Sequence, residues 1–374
     1  GQSWSGNGQS SGQKLLGDFQ VNDVAHIVIK RGAEEINLAK IGEFWRVKER
    51  GDYPANFSEI VSLLTKLKDL KVVQTEQVGA SQLKRFELEA PGQGSNTATL
   101  VEFRDASGKA IKSLLLGKKH MQKSNRASQF GDVDEGGWPD GRYVMVDAKS
   151  GNVALISNGL NDIEPKAEHW LNKDFFKIEK ARSLAVTFPE ATNSWQLTRE
   201  SEAAEWKLTD AKPAEKLDAG KISAMANPLS SPTINDVSVG LSAAQTGLDK
   251  PTTVKIGTTD GFDYTVNVGG KTNDDYFLSV AVTANLPKER TPGKDEKPED
   301  KTKLDKEFAD NLKKLEEKLA AEKFFEKWTF LVSSWTVDPF LKKRGELLEE
   351  NKPEAAANAA KPEEKPVESK PESN

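Results

Sequence analysis

"GLDKPTTVKIGTTDGFDYTVNVG", residues 247–269, reads as a turn, a strand, a DG turn and a second strand ending in glycine. Earlier in the chain "LKRFELEA" and "TLVEFRDASGKAIKSLLLG" follow a similar course. A phrase written twice points to a repeated unit, and the segments around each copy define it.

Ahead of the first copy, "VAHIVIKR", "EINLAK" and "FWRVKE" alternate apolar and polar residues between Gly-containing turns, the pattern of an antiparallel meander with one wet face. "YPANFSEIVSLLTKLKDL" then sets Phe57, Ile60, Val61, Leu64 and Leu67 at helical spacing, with Asn56 or Ser58 as cap. Strands resume in "KVVQTE", "RFELEA", "TLVEFRD" and "AIKSLLLG". After a polar loop come "RYVMVD" and "NVALIS", and "PKAEHWLNKDFFKIE" reads as a closing helix. From Ala181 the order restarts: "SLAVTF", "SWQLTR" and "EWKLTD", the helix-like "DAGKISAMANPL", then "NDVSVG", "TTVKIG", "YTVNVG", "DYFLSVAV", "WTFLVSS" and the helical ending "VDPFLKKRGELLEE". Trp45 and Trp206 hold the same place, each at the last strand before the helix.

The expected fold class is α+β: two tandem, related units of antiparallel sheet with packed helices, each of roughly 160 residues, a period too long for a solenoid. The expected boundaries are a Ser/Gly-rich tether over 1–20, units at 21–180 and 181–350, and a low-complexity tail at 351–374 too poor in apolar residues to fold. A short turn joins "RYVMVD" to "NVALIS", but about forty polar residues part their counterparts, against two to five in an ordinary hairpin. This marks a helical insertion at 286–327. Its second part places Leu304, Phe308, Leu312, Leu315 and Leu319 on one face, with Lys and Glu elsewhere. That stripe needs cover, either from its own sheet or from a partner protein docking helix-in-groove fashion.

Composition removes whole classes of chemistry. The 374 residues include no cysteine, so disulfides, thiolate nucleophiles and cysteine-ligated metals are excluded. A net charge of −5 offers no broad basic field for nucleic acid. No run of about 18 apolar residues spans a membrane. His26, His120 and His169 show no metal-ligand spacing, and neither a G-x-S-x-G elbow nor a P-loop occurs. No catalytic residue, cofactor site or metal site is therefore expected.

The loop "GDVDEGGWPDGRY" gathers Asp132, Asp134, Glu135 and Asp140 around two glycines, reading either as a solvated loop or as oxygen ligands for calcium. It lacks the closing glutamate and flanking helices of an EF-hand. "NDDY", with Asp274 and Asp275, occupies the corresponding place in the second copy. Asp132, Asp134, Asp274 and Asp275 form, with Trp138, a candidate ligand rim. Exposed tryptophan stacks on sugars or fills protein interfaces, whereas Trp45, Trp195 and Trp206 fall in strands and suit core packing.

The pattern W-x-[VL] before a helix, a GL-x-x-P phrase, strands ending in glycine and a Y-[VF] strand resembles the bacterial domain-of-unknown-function family 4340. Here these are Trp45 and Trp206; Gly247, Leu248 and Pro251; Gly117 and Gly269; and Tyr143 and Tyr276, with the closing "LKKRGELL". In the first copy "SQLKRFELEAP" stands in place of the GL-x-x-P phrase. The resemblance spans about residues 21–350 without the insertion. It implies an extracytoplasmic bacterial protein anchored to the inner membrane by a helix preceding Gly1. It also implies, as partner, an ABC-transporter permease or an auxiliary envelope protein of the gliding-motility type.

The resulting expectation is a non-enzymatic accessory subunit of an ABC-type transport or cell-envelope system, acting through the Leu304–Leu319 stripe or the cleft between the units. The alternative is a glycan-binding envelope ectodomain using that cleft. An envelope hydrolase is the third reading, with no pair of acids singled out for it.

Overall fold

The computed structural model describes residues 11–92, 98–122, 137–147 and 150–350. The chain divides into two compact units, Gly1–Asp174 and Phe175–Asn374, each built on one antiparallel sheet.

The first sheet contains β1 (His26–Arg31), β2 (Glu34–Ile41), β3 (Phe44–Val47), β4 (Tyr53–Pro54), β5 (Val72–Gln77), β6 (Thr99–Arg104), β7 (Ala110–Gln122), β8 (Trp138–Val146) and β9 (Asn152–Ile156). Its spatial order is β4-β3-β2-β1-β6-β7-β8-β9-β5. The second contains β10 (Ala181–Thr187), β11 (Trp195–Thr198), β12 (Lys207–Leu208), β13 (Asp236–Ser238), β14 (Thr252–Thr258), β15 (Phe262–Thr272), β16 (Asp275–Ala284) and β17 (Thr329–Ser333). Its order is β12-β11-β10-β14-β15-β16-β17-β13, the order of the first sheet without β4.

Alternation along the strands sets one face of each sheet in a core. Ile27, Ile29, Ile36, Leu38, Val101 and Phe103 are buried in the first unit, as are Leu184, Val186, Trp195, Leu197, Val254 and Ile256 at matching positions in the second. Helix α1 (Phe57–Asp69) is capped by Asn56, whose side chain accepts the amide of Glu59. It buries Ile60, Leu63, Leu64 and Leu67, worth roughly 1.5–3 kcal/mol each.

The ladders align the units residue by residue. Leu38 faces Val47 as Leu197 faces Leu208, which makes Trp45 the counterpart of Trp206; both are buried. A bulge falls between Leu116 and Lys119 in β7 and between Val268 and Lys271 in β15, so Gly117 and Gly269 correspond. On the facing strand Lys119 pairs with Arg142 and Lys271 with Tyr276. The counterpart of Tyr276 is thus Arg142, and Tyr143 corresponds to Phe277. The shared tyrosine suggested by the sequence is one residue out of register.

Gly117 and Gly269 share a reason. A Cβ on Gly117 would collide with the carbonyl of Phe86, and one on Gly269 with the carbonyl of Thr246; Leu88 and Leu248 side chains close each site. The crossing segments end alike, in left-handed Glu87 and left-handed Gly247. The counterpart of "GLDKP" is therefore "ELEAP", residues 87–91, and "RFELEA" is no strand: its Arg85 and Phe86 end a 3-10 segment, Ala80–Phe86.

Other expected helices are also short. "PKAEHWLNKDFFKIE" holds a 3-10 turn at Ala167–Trp170, because its backbone is spent on the sheet edge: Asn56 N–H donates to Trp170, Leu171 bridges Ala55, and Asn172 N–H donates to Pro54. "DAGKISAMANPL" forms one turn of α2 (Ala219–Ile222) and a 3-10 turn, Ser223–Met225. A further single turn, α3 (Ala243–Thr246), carries a capping box between Ser242 and Gln245. The closing segment makes 3-10 turns at Asp338–Leu341 and Arg344–Leu347, parted by extended Lys342 and Lys343 and tied to Leu217 through a bridge at Leu348.

Part of the expected tether is folded. Leu15, Leu16 and Phe19 are buried, and residues 12–15 pair with the start of β5, so the first unit begins before Val21. Three apolar anchors outweigh the polar average of that stretch. Residues 1–10 and 351–374 lie outside the described residues.

Candidate functional site

Two units with one strand order show where each departs from the other. The hairpin β15–β16 closes through Asn273 and Asp274 directly after the pair Thr272–Asp275. In its counterpart β7–β8 the pair His120–Gly141 takes the place of Thr272–Asp275, and the strands continue with Met121 opposite Pro139 and Gln122 opposite Trp138. The register shifts between His120 and Met121, which leaves Asp140 as the extra, bulged residue. The bulge turns its carboxylate to His120, with Nδ1 and Oδ1 2.5 Å apart.

Cross-strand pairing and alternation put Trp138, Gln122 and His120 on one face of this extension. Tyr143 stands at its base, 6.0 Å from the His120 ring centroid and 5.0 Å from that of Phe86, which belongs to a buried cluster with Leu88, Leu115 and Met145. Trp138 begins a strand rather than lying in a loop, and 51% of it is exposed. Arg142 is buried and donates to the carbonyls of Gly117, Gly159 and Leu160; burial pushes its pKa down to about 10.

Of the other rim candidates, Asp132 and Asp134 lie outside the described residues. Asp275 accepts a hydrogen bond from Asn235, which also donates to Ser333, and the Asp274 carbonyl accepts the amide of Ser334. These two acids hold the end of their own sheet together.

A second departure is apolar. Ile41 and Phe44 pair at the tip of hairpin β2–β3, 50% and 65% exposed. Continuing the β11–β12 register by two pairs puts Glu200 and Glu205 at the same positions, both exposed. Phe44 and Phe57, the latter 62% exposed, border a groove of about 360 Å³ with Trp45, Arg46, Pro54 and Ala55. Exposed Val61 extends the surface along α1. The sequence pattern assigned Phe57 and Val61 to the packed helical face; Leu63 takes that place instead. Paired apolar residues flanking the Gly42–Glu43 turn were the available signal for Ile41 and Phe44.

Helix α4 (Lys301–Lys323) lies between β16 and β17. Leu304, Phe308, Leu312, Leu315 and Leu319 are all half-buried, and Phe308, Leu312 and Leu315 border a groove of about 290 Å³ with Gly261, Leu286 and Pro287 of the same unit. The helix is fastened near its C-terminal end. Buried Glu322 accepts from Tyr264 Oη at 2.5 Å, from Lys177 N at 2.7 Å and from Lys318 Nζ at 3.2 Å.

The remaining histidines sit apart. His26 Nε2 meets Asn37 Oδ1 at 2.8 Å, and His169 stands edge-on to Trp170. Among the described residues, no group of three or more His, Cys, Asp or Glu side chains is placed to hold a metal ion, and no helix is long and apolar enough to cross a membrane.

The model of the family described as "Domain of unknown function (DUF4340)" matches residues 45–251, more than half of the chain, and the chain belongs to that family. No curated protein and no solved structure matches it.

Proposed function

For this DUF4340 protein we propose a non-enzymatic role in protein–protein contact, as an extracytoplasmic accessory subunit of an ABC-type transport or cell-envelope system. The two units are read as copies of one module, with residues 286–327 as a charged helical insertion in the second. The observation that carries the contact role is the pair Ile41 and Phe44. The same fold carries glutamate at both positions in its second copy, so neither large apolar side chain is there to hold the sheet. Large exposed apolar surface of this kind marks sites of association. The groove between Phe44 and Phe57 has room for an apolar anchor from the partner, with Arg46 at its rim. The Leu304–Leu319 stripe contributes less to this reading, since its own unit covers part of it.

The test is crosslinking in the native membrane followed by affinity purification and mass spectrometry, on wild type and on Ile41→Glu/Phe44→Glu. Recovery of a permease with its ATPase by wild type, and its loss in the variant, supports the role. Equal recovery by both proteins, or no permease with either, overturns it.

A further inference from the structure

We propose that the extended end of hairpin β7–β8 is a saccharide-binding platform, in which Trp138 stacks on a pyranose ring while His120, Asp140 and Gln122 bond its hydroxyls. This does not rest on the accessory role. The second unit closes the equivalent hairpin in a tight turn, so the extension answers no demand of the fold.

Its side chains combine what a sugar requires. A pyranose presents a C–H face, which packs on an indole, and a rim of hydroxyls that each donate and accept. Trp138 supplies an exposed aromatic surface. With Nδ1–H donating to Asp140, the imidazole keeps Nε2 as an acceptor, and the carboxylate keeps Oδ2. Neither atom has a hydrogen-bond partner among the described residues, and the two side chains are 40% and 34% exposed. The exposed Gln122 amide adds a donor and an acceptor.

Spacing and rigidity agree. Two residues along a strand cover about 7 Å, which sets the Asp140–His120 pair beside a ring lying on Trp138. The row is braced by Tyr143 against Phe86, and the bulge fixes Asp140 toward His120, so little ordering remains for binding to impose. A protein-docking surface is less well matched: polar groups flank the indole, in contrast to the contiguous apolar surface around Phe44.

The experiment is isothermal titration of the whole chain with cellotetraose and with chitotetraose at millimolar concentration. At least one is expected to bind, with Trp138→Ala abolishing the heat and Asp140→Asn weakening affinity by about tenfold. Trp335→Ala, which removes the other highly exposed tryptophan among the described residues, should leave the titration unchanged. Absence of binding by both oligosaccharides, or binding undiminished in Trp138→Ala, overturns the proposal. Loss of a crosslinked protein partner in Trp138→Ala, with no saccharide bound by wild type, would make the hairpin a protein contact and overturn it equally.

Discussion

The Tyr264 hydroxyl donates to Glu322 Oε1 at 2.5 Å, joining strand β15 to helix α4 across 58 residues of chain. Lys177 N–H and Lys318 supply the other partners of this buried carboxylate. A charge held this way is costly to leave half satisfied. Tyr264→Phe is expected to destabilise the second unit by about 1–3 kcal/mol. Hydrogen exchange should show loss of protection centred on residues 315–323, with α1 unaffected. Unchanged protection along α4 would mean that its apolar contacts alone seat it.

The glycine pair gives a sharper prediction, because one collision occurs twice. Gly117→Ala and Gly269→Ala each push a Cβ into a main-chain carbonyl that belongs to a crossing segment. Each should cost about 1–3 kcal/mol, read as a lowered urea midpoint. Gly79→Ala and Gly345→Ala, which meet nothing, should stay within about 0.5 kcal/mol of wild type.

Replacing Ile41 and Phe44 by glutamate installs the residues of the second unit. Thermal unfolding should move little, within about 0.5 kcal/mol per site, since both side chains already face solvent. A loss several times larger would show that the pair packs in the sheet's service, and would remove the argument for a contact surface.

Stability against pH should fall at both extremes for identifiable reasons. Burial raises the Tyr53 and Tyr264 hydroxyls above their usual value of 10.0, Asp174 adding to the first and Glu322 to the second. The unfolded chain releases these protons near pH 10 while the folded chain keeps them, so their contribution is complete below that pH and lost above it. In acid, Glu215 is held down to about 2 by hydrogen bonds from Arg344 and the Lys212 amide. Its contribution is present above the unfolded value of 4.5 and fades as pH falls from there toward 2. Urea midpoints against pH should flatten on the alkaline side in Tyr264→Phe and on the acid side in Glu215→Gln.

Legibility followed the range of the interaction concerned. Strand alternation shows in neighbouring residues, so the meander of β1–β3, the hairpins and helix α1 could be read directly. So could the pairing of Trp45 with Trp206. The short 3-10 endings could not, because what straightens Leu171 and Asn172 is the edge of β4, more than a hundred residues earlier. The exposure of Phe44 was only partly legible: the apolar pair flanking the Gly42–Glu43 turn was visible, but which face of the strand it occupies follows from the register.

The sequence by itself determined that one sheet unit is written twice, because side-chain alternation and turn chemistry are local properties. Only the tertiary structure decided which residues correspond. The ladders fix it whatever the residue type: Leu116 faces Val144 as Val268 faces Leu278, so Arg142 rather than Tyr143 holds the place of Tyr276. Likewise "ELEAP" answers to "GLDKP" although glutamate replaces glycine, because the equivalence resides in the carbonyls of Phe86 and Thr246 passing over Gly117 and Gly269. Those approaches are made through space between distant segments, where no reading along the chain can find them.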